Sequence, residues 1–90
     1  MKRIEIIYSQ ALGEDILEAL KDIPAAQFYS VIPGVRGRGY STPKMGDPVW
    51  PEINEMMIIY CDEKSEEKIS AAIRKLQQIY TSEGLAFFVM

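Results

Sequence analysis

The chain reads as a single α+β domain whose elements run strand, helix, strand, strand, helix, strand. Three observations predict this. Two apolar runs, Ile4-Glu5-Ile6-Ile7 and Met56-Met57-Ile58-Ile59, have the length of strands and the near-continuous apolarity of central ones. Two stretches with helical apolar spacing separate strand-like runs, one ending before Pro24 and the other before Gly84. Between the second and third strands, the segment from Pro33 to Pro51, about a fifth of the chain, carries no helical pattern; connections that long in a compact domain are commonly functional.

Each element has its own signal. Lys2 to Ser9 is a β-branched strand. A helix follows from about Gly13 to Asp22: Leu12, Ile16 and Leu20 recur at i, i+4 and i+8, with Leu17 and Ile23 widening the stripe. Glu14 and Asp15 complement the helix dipole in its first turn, and Pro24 stops it. Ala26 to Ile32 is the second strand, with Phe28, Val31 and Ile32 as its bulky members. Glu55 to Cys61 is the third, apolar enough for burial on both faces. Ser65 reads as the N-cap of the second helix, with Glu66 and Glu67 in the first turn. Ile69, Ala72, Ile73, Leu76, Ile79 and Tyr80 share one face of that helix, and Gly84 marks its end. Leu85 to Val89 is the last strand. This βαββαβ order is the ferredoxin-like arrangement, one domain over 1–90, with an antiparallel four-stranded sheet and both helices on one face. The other face is left bare, and its apolar residues imply a cyclic oligomer that covers it.

Composition narrows the function. The apolar fraction of 48% suits a globular domain. The net charge of −3 argues against non-specific nucleic-acid binding. With no histidine and a single cysteine, Cys61, the Ser-His-Asp and Cys-His mechanisms, most zinc sites and an intrachain disulfide are excluded. No run has the length of a membrane span or a signal peptide, and the expected location is cytoplasmic.

The charge is uneven. Arg36, Arg38 and Lys44 occupy the long loop with no acidic residue between them, a local cationic spot suited to a phosphate-bearing small molecule. Gly34, Gly37 and Gly39 do not form a dinucleotide fingerprint, since no helix follows them. They offer backbone N–H groups that can approach an anion; the competing reading is a loop with arginines for solubility. Trp50, between Pro48 and Pro51, is either a partner anchor or a cap on the subunit's own core or oligomer seam. Met56 and Met57 are adjacent on a strand and so point to opposite faces; together with Met45, Cys61 and Met90 they read as packing residues rather than a soft-metal site. Asp47, Glu52 and Glu55 have no recognisable metal-ligand spacing. Glu5, Glu14 and Asp15 read as solvated or helix-start residues, so no catalytic group is assigned.

The opening Met-Lys-Arg-Ile-Glu-Ile-Ile, the helix Glu14-Asp15-Ile16-Leu17-Glu18-Ala19-Leu20 and the strand running into Gly34-Val35-Arg36-Gly37-Arg38-Gly39 together resemble the nitrogen-regulatory P-II signalling proteins. The resemblance implies a homotrimer that binds a small effector, an adenine nucleotide, in clefts between subunits and engages protein partners through a T-loop, here about 33–52. It implies ligand contacts from Gly34, Val35, Arg36, Gly37, Arg38 and Gly39 at the loop base, and from Ser82 and Gly84 in a phosphate-holding turn, Thr81-Ser82-Glu83-Gly84. Tyr40, Lys44 and Trp50 would meet the partner, and Tyr40 is a candidate for modification. The turn lacks the family's lysine- and glycine-rich cradle, and the family's C-terminal arginines have no counterpart before Met90. Short relatives of this kind are associated with membrane transporters, including heavy-metal efflux pumps, and with bicarbonate uptake. A metal-tolerance protein like CutA, of the same trimeric build, is the alternative. A small enzyme on a dimeric ferredoxin-like scaffold and an RRM-like nucleic-acid binder rank lower, for want of a buried polar pocket and of a basic, aromatic sheet face.

Overall fold

A computed structural model describes residues 1–38, 45–46, 52–81 and 83–90. Four strands, β1 (Lys2–Ser9), β2 (Tyr29–Val35), β3 (Asn54–Cys61) and β4 (Leu85–Val89), form one antiparallel sheet in the order β2-β3-β1-β4. The helices α1 (Gly13–Leu20) and α2 (Glu63–Ile79) connect β1 to β2 and β3 to β4, which is the expected ferredoxin-like arrangement. The register places Ile4 opposite Ile59 and Val89, and Ile6 opposite Met57 and Phe87. Residues directly opposite in an antiparallel pair share a face. Ile4, Ile6, Tyr8, Met57 and Ile59 therefore meet the helices, where Ile16, Leu20, Ile69 and Ile73 complete a core with almost no exposure.

The alternate residues Ile7, Met56, Ile58, Ala86 and Phe88 lie on the opposite face, which no helix or strand among the described residues covers. Met56 and Met57 do point to opposite faces: Met57 is buried and Met56 only half-buried. Glu5, expected to be a solvated residue, stands in the middle of this face between Ile58 and Phe88, paired with Arg3.

Several boundaries differ from expectation, each for a local reason. Residues Pro24–Gln27 form a 3₁₀ turn, not the start of a strand, and bury Ala26. The Gln27 side chain donates to the carbonyls of Leu20 at 2.8 Å and Ile23 at 3.2 Å, beside the Ile23 and Ala26 backbone N–H groups that also donate to them, and so ties the turn to the end of α1. Helix α1 thus stops at Leu20, ahead of Asp22 and Pro24. Phe28 is 79% exposed rather than a strand core residue. Strand β2 begins later and runs on through Pro33 to Val35. It lies at the sheet edge, where a missing N–H need not break a ladder bond, and Gly34 at φ 70° accommodates the register shift between Ile32 and Val35. Helix α2 is capped by Asp62, whose carboxylate accepts from the Ser65 N–H at 2.8 Å. Ser65 is therefore in the first turn rather than at the cap, and Glu63 and Glu66 are its acidic residues. The helix closes at Ile79, short of Gly84; Ile79 is 64% exposed and Leu17 also faces solvent, so both lie outside the core stripe.

Candidate functional site

The strand ends bring three segments of the chain together at one end of the sheet. Asn54 pairs with Ser9 on one side and with Val35 on the other, so the outgoing and returning arms of the long loop are neighbours. The Ser9 N–H donates to the Gly84 carbonyl at 3.1 Å, and the Gln10 N–H to the Ile53 carbonyl at 3.0 Å. These bonds join the end of β1 to the turn before β4 and to the returning arm. The loop base and the turn at 81–84, distant in sequence, therefore lie at the same end of the sheet, with Asn54 and Ser9 between them.

The described part of the loop is shaped by two glycines. Gly34 at φ 70° and Gly46 at φ 66° are the positions with left-handed backbone among the described residues. A Cβ on Gly46 would come 3.1 Å from Ile53 Cδ1, and its N–H donates to the Glu52 carbonyl at 3.1 Å, so a glycine here closes the loop onto its returning arm. Gly37 is not in a left-handed conformation, and a Cβ there would meet nothing within 4 Å. The backbone conformation that favours glycine thus occurs at Gly34 and Gly46 and not at Gly37.

An open pocket of about 440 Å³ lies at this end of the sheet, lined by Ser9, Gln10, Ala11, Glu52, Ile53 and Glu83. Among the described residues that line it, two are carboxylates and none is cationic. Arg36 and Arg38 are exposed on either side of half-buried Gly37, outside this lining. Of the predicted ligand residues, Gly34, Val35, Arg36, Gly37 and Arg38 are consecutive at the loop base, and Gly84 is tied to Ser9. Gly39, Tyr40, Lys44, Asp47, Trp50 and Ser82 lie outside the described residues. The lining residues Ser9, Gln10 and Ile53 carry no motif; their position follows from the ends of β1 and β3.

Behind the pocket, the returning strand is held to the helix layer. Tyr8 is fully buried, and its hydroxyl donates to the Glu55 carboxylate; burial, then this bond, raises the tyrosine pKa well above its ordinary value. A Cβ on Gly13 would sit 3.7 Å from Glu55 Oε1, which places this carboxylate at the start of α1, where the helix dipole favours it. Glu55 thus has a structural engagement. Among the described residues, no three His, Cys, Asp or Glu side chains converge as a metal site. Cys61 is buried, with its thiol pKa raised by burial, as the packing reading expects. No helix among the described residues is long and apolar enough to cross a membrane.

Comparisons with known proteins agree with this architecture. The chain is similar in structure to CPII, a nitrogen regulatory PII-like protein from Thiomonas intermedia K12, in a form bound to ADP, AMP and bicarbonate: TM-score 0.78 and 19% identity, covering 99% of this chain and 82% of that one. The apo form of CPII gives a TM-score of 0.70 at 18% identity, with coverages of 99% and 85%. A candidate PII-like signaling protein from Thermus thermophilus gives 0.68 at 17% identity, with coverages of 99% and 83%. Among curated proteins, no sequence matches the chain. The family described as nitrogen regulatory protein P-II matches residues 1–90, the whole of the sequence, and the chain belongs to that family.

Proposed function

We propose that this P-II protein binds a small anionic effector, an adenine nucleotide, at clefts between copies in a homotrimer, and reports its presence to a protein partner through the loop at 33–52. The carrying observation is the convergence of the loop base, the loop's returning arm and the turn at 81–84 at one sheet end. The bare apolar sheet face supports association of copies. That a PII-like relative is bound to ADP and AMP supports the ligand class.

The charges set the binding mode. A phosphate in a pocket walled by Glu52 and Glu83 would be repelled unless cations are brought to it. Arg36 and Arg38 are the groups that would do so, by folding the loop base over the ligand, and their planar guanidinium forks suit phosphate oxygens. Effector binding would then order the loop, and the ordered loop would be what the partner recognises. The partner implied by family resemblance is a membrane transporter, with the regulator acting from the cytoplasm.

Calorimetry with ADP, AMP and ATP on the purified protein tests this reading, alongside Arg36→Ala with Arg38→Ala. The expected result is binding to the wild type that weakens at least about tenfold in the variant, with the oligomer intact. Equal affinities would sink the assignment of the arginines. Uptake of metal ions with no nucleotide response would favour the metal-tolerance alternative.

A further inference from the structure

Among the described residues, the uncovered face of the sheet is charged at one place. Its outward positions on β1 are Arg3, Glu5 and Ile7, with Tyr60, Ile58 and Met56 of β3 on one side and Phe88 and Ala86 of β4 on the other. Arg3 Nε donates to Glu5 Oε2 at 2.9 Å, and Arg3 Nη2 stands 2.8 Å from the same oxygen. Arg3 Nη1 donates to the Tyr60 hydroxyl at 2.5 Å, and the guanidinium carbon lies 5.5 Å from the centre of the Tyr60 ring. Both contacts with the carboxylate fall on Oε2, so Glu5 Oε1 keeps its capacity to accept.

Among the described residues, Arg3 and Glu5 are the charged groups on this face, and they balance. The chain as a whole carries −3, so copies repel one another at long range, but they can approach through a face with no net charge. The face is four strands wide, roughly 19 Å, and about 23 Å long over seven residues, or on the order of 450 Å², the size of the largest patches that monomers expose, which are often functional. A neutral, apolar, self-complementary surface of that extent suits a second copy of the chain better than a charged partner.

We propose that the Arg3–Glu5–Tyr60 cluster is a register key between copies of this chain. The inference rests on the reading above that copies associate through this face. Apolar sheet faces slide over one another with little preference, because hydrophobic burial is non-directional. An ion pair among apolar residues removes that freedom. Once the face is covered, the pair loses water, and only a packing that supplies a donor to Glu5 Oε1 and acceptors to the remaining Arg3 N–H groups avoids the desolvation cost. Tyr60 holds the guanidinium in place across the strand boundary. The cluster thus selects one packing and opposes others.

Native mass spectrometry and dilution-dependent light scattering of the full chain test this, with Glu5→Gln, Tyr60→Phe and the double variant Arg3→Met with Glu5→Leu. The wild type should form one assembly. Glu5→Gln strands the guanidinium and should weaken association at least about tenfold. The double variant, without the ion pair, should associate as tightly as the wild type but as a mixture of sizes. Far-UV circular dichroism reports whether each variant folds; should Glu5→Gln fail to fold, Tyr60→Phe decides, with an expected few-fold weakening. A wild type that stays monomeric at tens of micromolar would overturn the association reading and the key with it. A wild-type assembly that Glu5→Gln and Tyr60→Phe leave unchanged, or a double variant of single size, would overturn the key alone.

Discussion

The two faces of the sheet are built from the same strands and much the same residues, yet they have different fates. On β1, Ile4 and Ile6 are completely buried, while Ile7 is only half-buried. On β3, Met57 and Ile59 are buried; Met56 and Ile58 are not, and Tyr60 is 54% exposed. The side-chain chemistry barely differs between neighbours. What differs is what stands above them: two amphipathic helices on one side and, among the described residues, no helix or strand on the other. A continuous apolar run in a strand predicts that both faces need cover, but not whether the chain itself supplies it.

That contrast can be tested by matched substitutions. Ile6→Ala on the covered face should cost about 3 kcal/mol in urea unfolding, because it leaves a cavity in a packed core. Ile58→Asp on the bare face should change the stability of the isolated chain by less, within about 1 kcal/mol, while abolishing association on a sizing column. Equal losses of chain stability at both sites would mean that the faces are not distinguished as described.

Tyr8 sharpens the comparison, since it is a polar group on the covered face. Its folded-state pKa is raised, so the stability it contributes is complete below the ordinary tyrosine value of about 10 and is lost as pH rises above it. Tyr8→Phe should lower stability near neutral pH by leaving Glu55 without its donor, and should flatten the alkaline decline in thermal melts recorded from about pH 9 to 12. A decline of unchanged steepness would remove Tyr8 as its source.

The smallest effect is expected at Asp62, which acts on helix α2 rather than on a sheet face. The Ser65 backbone N–H, then the other local bonds and charges, lowers its carboxyl pKa. Its contribution is present above about pH 4 and is lost as pH falls through the lowered folded value. Asp62→Ala should lower the melting temperature slightly near neutral pH and not in strong acid. A loss as large as that of Ile6→Ala would mean that the cap, rather than the covered face, dominates stability.

Much of the fold was legible in the residues. The bounds of β1 and β4 were read correctly, because each is a short apolar run closed by polar or terminal residues. The stripe Leu12, Ile16, Leu20 was equally plain, and all three are buried. Where the reading slipped, local signals competed. Ala26 and Phe28 look like strand residues, but the Gln27 amide donates to three carbonyls at and just beyond the end of α1 and holds Pro24–Gln27 in a 3₁₀ turn. Pro33 and Gly34 look like a strand terminus, yet an edge strand tolerates both. Ser65 was read as the cap, but Asp62, three positions earlier, takes that role because its carboxylate reaches the Ser65 N–H.

By itself, the sequence determined the element order, the helix-facing core, the absence of histidine chemistry and the location of the long glycine-bearing loop, because all of these follow from composition and local periodicity. Only the tertiary structure decided that the loop's two arms and the turn at 81–84 share one sheet end, that carboxylates wall the pocket there, and that Arg3, Glu5 and Tyr60 form one cluster. Arg3 and Tyr60 stand 57 positions apart. They meet through the register of β1 against β3, a property of how the strands pair rather than of either strand's own residues.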